Sequence, residues 1–283
     1  MMRKRALVLE GGGLRGNYTA GVLDAFLDAD IWFPLVIGVS AGAGMGCSFV
    51  SGQRGRNLRV LKEYRSDPRY LSIRSFIKTG SLFGLDFIYD DIPNRLIPFD
   101  FKAFYENPAR FVSVCTDCAA GRAIYCEKDA DVLTAMKGSS ALPYVSRMVD
   151  YRGHKLLDGA ISDPIPLQKA YDEGFRGNVV VLTRPAAYRR KEEFHPPPAL
   201  FYRRWPALVK LLKGHTERYN RALELVEAEA AAGRITLIRP SADLGITRVE
   251  KSIPRLTAAY ELGLSDGRAA AAGIKGAGPP PCE

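Results

Sequence analysis

The feature that most constrains the fold lies within residues 5–50, where two short apolar runs each stop at glycines and each lead into a helical pattern. The first, ALVL at 6–9, ends at Glu10 and the glycines of EGGGLRG; behind it Tyr18, Val22, Leu23 and Phe26 recur at helical spacing. The second, LVIGV at 35–39, ends at Ser40 and passes into the small-residue stretch AGAGMGCSFVSG. Strand, helix, strand and helix in this order specify a βαβ unit. A parallel sheet buried on both faces follows, because crossover helices cover it.

The rest of the chain extends that sheet. Residues 111–115 and 123–126 read as paired strands around Ala119-Ala120-Gly121, and a helix over 131–137 leads into SSALP at 139–143. A second hairpin pairs 147–150 with 155–157 around Arg152-Gly153, and 178–182 and 235–238 are further apolar runs, each after a helical stretch. The expected class is α/β with a mostly parallel interior sheet. Between Ser51 and Pro108 the signals are mixed, with short helices and aromatic loops. With 283 residues, 47% of them hydrophobic, the chain can bury one large core. We therefore expect one domain over 1–275 and a disordered tail, GAGPPPCE, at 276–283.

Charge and cysteine usage narrow the setting. A net charge of +9 attracts polyanions, whether nucleic acid, acidic substrate or anionic lipid. The five cysteines, at 47, 115, 118, 126 and 282, lack the even, dense spacing of a disulfide scaffold and fit a reducing cytoplasm. Arg3-Lys4-Arg5 is followed by only four apolar residues before Glu10, too few for a secretion signal. Residues 31–53 carry no charge, yet Pro34, five glycines and three serines make them a poor membrane span.

The chemistry is written in three short motifs. GVSAG, from Gly38 to Gly42, fits G-x-S-x-G between strand and helix, the turn that holds a serine hydroxyl exposed while flanking glycines avoid collisions. Ser40 is the candidate nucleophile and needs a base. His154 precedes Asp158 by four residues, about 13 Å along a strand, too far for that aspartate to orient it. His195 and His215 follow Asp158 and would give the chain order of a Ser-Asp-His triad, leaving that reading open. The other candidate base is Asp158 itself, in LLDGA at the end of an apolar strand, with Gly159 providing room. An aspartate near its ordinary pKa of about 3.9 is a weak base toward serine, so desolvation has to assist it. The G-x-G-x-x-G of the first loop also suggests a dinucleotide, but that fold closes its second strand with an acid, and this strand ends Gly38-Val39-Ser40.

Taken together, EGGGLRG, GVSAG and DGA, in this order, resemble the patatin-like phospholipase family. SSALP resembles its Ser-x-Ala-x-Pro block, and VVVLTRPAAYRRK with the later ITLIRPS resembles a bacterial branch of small lipid esterases; the likeness extends over about residues 5–270. The resemblance implies a three-layer α/β/α fold and a Ser40–Asp158 dyad without catalytic histidine. It implies an oxyanion hole in the loop Gly11, Gly12, Gly13, Leu14, Arg15 and Gly16, through amides around Gly12 and Gly13. It further implies lipid ester substrates, an acyl-serine intermediate, and calcium-independent chemistry with no metal or other cofactor. Glu10 stands where many members have aspartate, and DGA replaces DGG; neither change touches the dyad.

Residues 184–213 form a basic, aromatic excursion with eight Lys/Arg against two Glu. Pro206 opens a short amphipathic helix there. Phe201, Trp205, Leu208 and Leu212 are candidates to enter an anionic membrane while Arg203, Arg204 and Lys210 meet headgroups; the alternative is that the apolar residues cover the core. The expected location is thus cytoplasmic or peripheral at the membrane. Cys115-x-x-Cys118 with Cys126 lacks a fourth zinc ligand, Asp90-Asp91 reads as a solvated pair, and no nucleic-acid-reading motif accompanies the charge. A catalytically silent lipid-surface protein on the same fold is the competing class.

Overall fold

The computed structural model describes residues 5–192 and 196–276. One eight-stranded mixed sheet organises them. Its strands are β1 (Ala6–Leu9), β2 (Leu35–Val39), β3 (Arg110–Asp117), β4 (Arg122–Glu127), β5 (Val149–Tyr151), β6 (His154–Asp158), β7 (Val179–Val181) and β8 (Thr236–Ile238). The run β3-β2-β1-β7-β8 is parallel throughout, and β4, β5 and β6 join it antiparallel at the β3 end.

Alternation along the strands assigns each helix to a face. Leu7 and Leu9 pack with Tyr18, Val22 and Phe26 of α1 (Gly16–Asp28) and with Phe49 of α2 (Ala41–Val50). Ala6, Val8, Leu35 and Ile37 point the other way, onto Leu167 and Ala170 of α7 (Leu167–Asp172) and Leu223 and Val226 of α10 (His215–Ala231). The result is the three-layer α/β/α arrangement with a buried, mostly parallel sheet.

The stretch with mixed signals holds α3 (Arg56–Tyr64), α4 (Ile73–Thr79), a π-helical segment Phe87–Leu96 and α5 (Phe101–Glu106); α6 (Val132–Ser139) follows β4. The excursion contains α8 (Pro198–Tyr202) and the expected helix at Pro206, α9 (Pro206–Lys213). The last helix, α11 (Ile253–Gly276), lies along α1 and has no clear signal in the sequence. The expected tail lies outside the described residues except for Gly276, which closes α11. Among the described residues no helix is long and apolar enough to cross a membrane.

One detail of the sheet sets up the site. β4 pairs with β3 along the whole of 112–117, occupying one edge. On the opposite edge two strands meet end to end: β2 pairs as far as Val39 with Val114, and β6 begins at Asp158 with Cys115. The carboxyl ends of β2 and β6 therefore converge on adjacent residues of β3.

Candidate active site

Ser40 leaves β2 at φ 53°, ψ −122°, a positive φ that a residue with a side chain adopts only where its surroundings hold it. Two glycines make that turn sterically possible. A Cβ at Gly38 would lie 2.5 Å from the Ala43 backbone, and one at Gly42 would lie 2.6 Å from the Leu9 carbonyl oxygen. The Ser40 amide donates to Ser139 Oγ at 2.8 Å, and that hydroxyl donates to the Val114 carbonyl at 2.6 Å. Ser139, the first serine of SSALP, thus ties the elbow to β3; the motif was visible in the sequence, this role was not.

Asp158 faces Ser40 from the end of β6 and is 2% exposed. Its carboxylate accepts the Ala160 amide at 2.8 Å, its own amide donates to the Ala141 carbonyl at 2.8 Å, and its carbonyl accepts the Thr116 hydroxyl at 2.8 Å. Burial pushes its pKa up to about 6, against the pull of the Ala160 amide, the adjoining Ser40 side chain and the charges of Arg248 and Arg190. Gly159 has a sharper reason than room: a Cβ there would sit 2.1 Å from the Val114 carbonyl oxygen, because the chain crosses directly over β3.

The glycine loop is seated by Glu10. One carboxylate oxygen accepts the Thr183 amide and hydroxyl at 2.6 and 3.0 Å, and the other accepts the Tyr219 hydroxyl at 2.7 Å. A Cβ on Gly11 would lie 3.0 Å from Ser40 Cβ, so the loop passes closely over the serine. Gly13, at φ 57°, needs its glycine. Of the six loop amides, Leu14 donates to the Arg248 carbonyl, Arg15 to Gly12, and Gly16 to Gly13 and Leu14. No acceptor among the described residues takes the Gly12 or Gly13 amide. Arg15 is buried, and its Nε has no hydrogen-bond partner among the described residues.

The histidines divide sharply. His154 is bound to Asp117 at 2.9 Å, at the far end of β6. His195 lies outside the described residues. His215 does line the cavity beside Ser40 and Asp158, but Arg190 donates to its Nε2 at 2.7 Å. Burial and the neighbouring Arg190, Arg248 and Arg218 charges drop its pKa to about 3.

A family model for patatin-like phospholipases matches residues 7–171, more than half of the chain. The chain belongs to the patatin-like phospholipase family. A second model, a domain of unknown function (DUF6363), matches residues 205–275. Among curated relatives, the uncharacterised protein YjjU of Escherichia coli is 30% identical over 276 residues, covering 93% of this chain and 76% of that one. An uncharacterised NTE family protein of Mycobacterium tuberculosis is 25% identical over 57% of this chain and 44% of its own length. Among solved structures, VipD from Legionella pneumophila shares the fold with a TM-score of 0.52 at 14% identity, over 96% of this chain and 67% of that one. Membership of this family supports a lipid hydrolase function.

In this patatin-like chain Ser40 stands where two cavities meet. A narrow one of 130 Å³ is walled by apolar side chains including Met45, Leu61, Ile88, Ile92 and Met136. A wide one of 690 Å³ holds Asp158, the glycine loop and most of the site's charge. The excursion lines the wide one, but its apolar residues are not disposed entirely as expected. Leu208 is fully buried and cannot enter a membrane, and Trp205 and Leu212 pack against the main core. Phe201 remains exposed, joined by Leu200, which no sequence signal singles out. Cys115 and Cys126 lie with sulfurs 4.0 Å apart in the core, and no group of three or more metal-binding side chains occurs among the described residues.

Proposed function

We propose that this chain is a serine acyl hydrolase, a carboxylic ester hydrolase of phospholipase A or lysophospholipase type, acting as one domain over residues 1–275. The observation that carries this reading is the meeting of a strained, small-residue-flanked Ser40 with the side chain of a buried Asp158 where β2 and β6 end on adjacent residues of β3. Ser40 Oγ attacks the ester carbonyl carbon while Asp158 takes its proton; the oxyanion accepts hydrogen bonds from the Gly12 and Gly13 amides. The tetrahedral adduct collapses, Asp158 returns the proton to the departing alcohol, and the fatty acyl group stays on Ser40. Water then attacks the acyl-serine, Asp158 accepts its proton, and the fatty acid leaves as Ser40 is reprotonated. The narrow apolar cavity suits the acyl chain, and the dyad needs no metal or cofactor.

A His215 triad is disfavoured because the nitrogen that would accept the serine proton already accepts from Arg190. Ser40→Ala and Asp158→Asn, each folded, are expected to lose at least about a hundredfold in kcat on p-nitrophenyl esters, and His215→Ala much less. A fluorophosphonate probe is expected to label Ser40. Full activity in either dyad variant overturns the dyad. Absence of both turnover and labelling favours a catalytically silent lipid-surface protein.

A further inference from the structure

The wide cavity carries more positive charge than the ester chemistry explains. Among the described residues six cationic side chains line it against three carboxylates. Two of those acids are engaged: Glu10 by Thr183 and Tyr219, Asp158 by Ala160 and Ser40. The third, Glu192, is exposed. Arg15, Arg184, Arg190 and Arg248 converge here from the loops following β1, β7 and β8, the end of a parallel sheet where ligands bind. Among the described residues none of the four makes an ion pair with a carboxylate.

Their posture is that of guanidiniums waiting for an anion. Arg184 lies over the Tyr188 ring at 4.2 Å, and Arg190, which donates to His215, lies over Tyr219 at 4.6 Å. Arg15 is 6% exposed, lines the cavity, and its Nε, like that of Arg190, is buried without an acceptor among the described residues. Such an orphaned donor is costly in a folded protein. Burial, followed by the charges of Arg184 and Arg248, lowers the Arg15 pKa to about 10, a repulsion that a bound anion would relieve.

We propose that this cavity is a headgroup subsite, in which Arg184, Arg190 and Arg248, above the buried Arg15, bind the phosphate of an anionic lipid while its acyl ester lies at Ser40. The inference rests on the lipid-ester reading and deepens it. Guanidinium forks match phosphate oxygens in pairs, and a cationic wall disfavours a headgroup ending in a quaternary ammonium. The enzyme therefore prefers phosphatidylglycerol to phosphatidylcholine at equal acyl composition.

Arg184 is the residue to change, because Arg248 and Arg190 also help to ionise Asp158. The readout is the ratio of kcat/KM for phosphatidylglycerol to that for phosphatidylcholine in mixed micelles, with p-nitrophenyl butyrate as a third ester. Arg184→Gln is expected to lower that ratio about tenfold, chiefly through KM. Arg184→Lys should restore part of it, and added salt should erode the wild-type preference. Should Arg184→Gln unfold, Arg248→Gln is expected to lower the same ratio while moving the acid limb of the pH profile upward.

Inorganic phosphate distinguishes a lipid phosphate from a free one. Competitive inhibition against phosphatidylglycerol, weaker in Arg184→Gln, supports the headgroup subsite. Phosphate that accelerates p-nitrophenyl butyrate turnover without competing with lipid makes it an effector site and overturns the proposal. Equal wild-type turnover of both phospholipids, or an undiminished preference in folded Arg184→Gln, overturns the subsite and leaves the hydrolase standing. No turnover of any ester and no probe labelling instead removes the hydrolase reading beneath it.

Discussion

Asp158 is where burial, charge and chemistry meet most tightly. As the proposed base, Asp158 must be ionised to act, so with its carboxyl held at about 6 kcat/KM is expected to show an acid limb with its midpoint near that pH. The same burial has a consequence for stability with the opposite sense. Because the folded pKa lies above the ordinary 3.8, the folded chain holds the proton more tightly than the unfolded one. The contribution is fully present below the unfolded value, is lost as pH rises through about 6, and is absent at pH 8. A rise of this size corresponds to about 3 kcal/mol. Asp158→Asn should therefore lose most activity yet be more stable than wild type at pH 8, by up to about 3 kcal/mol, and no more stable at pH 3. Urea titrations at the two pH values decide it, and equal stability at pH 8 would show that the carboxylate is not strained by its burial.

At the scale of elements, the sequence disclosed strands well and their meeting poorly. The runs at 6–9, 35–39 and 178–182 are apolar because both faces are covered, so composition alone exposes them. The elbow was legible because a serine at positive φ needs glycine at Gly38 and Gly42. That β6 shares an edge of β3 with β2 was not legible, since register across a sheet is fixed by distant partners. Nor was Ser139, whose bonds to Ser40 and Val114 join three segments. Helix α11 was hidden because glycines and alanines fill what would otherwise be a hydrophobic stripe. Those small residues let it approach α1 backbone to backbone: a Cβ at Gly263 would lie 2.0 Å from the Tyr18 carbonyl oxygen, and one at Gly21 the same distance from that of Tyr260. Tyr18–Asp266 and Tyr260–Asp24 hydrogen bonds lock the pair. Gly263→Val should force the helices apart and cost about 1–3 kcal/mol. Because α1 starts where the glycine loop ends, probe labelling of Ser40 should slow as well. An unchanged urea midpoint and labelling rate would mean that the two helices yield freely.

For the molecule as a whole, the remaining question is how a lipid reaches a serine that is buried. Among the described residues, five of the eight exposed large apolar side chains lie in two places: Ile73, Phe76 and Ile77 on α4, and Leu200 and Phe201 on α8. One segment joins them. The Tyr144 ring packs edge-on against Phe201 at 5.4 Å, and the Val145 carbonyl accepts the Leu82 amide, just past α4, at 2.7 Å. Tyr144 and Val145 also line the wide cavity, so the apolar rim borders its mouth. Arg74 and Lys78 on α4 and Arg203 and Arg204 after α8 are exposed beside these residues. Apolar residues ringed by cations suit an anionic bilayer, where each Lys or Arg near the surface contributes about 1 kcal/mol. The prediction that follows is that this face docks on a membrane surface, with Ile73, Phe76, Ile77, Leu200 and Phe201, the residues that are exposed, as the inserted set. Ile73→Ser with Ile77→Ser, and Leu200→Ser with Phe201→Ser, should each weaken sedimentation with phosphatidylglycerol vesicles, and the four together should abolish it. Turnover of vesicle lipid should fall further than turnover of a monodisperse short-chain ester, since only the former requires docking. Vesicle binding that survives all four substitutions, or that is indifferent to salt, would remove the membrane from this face.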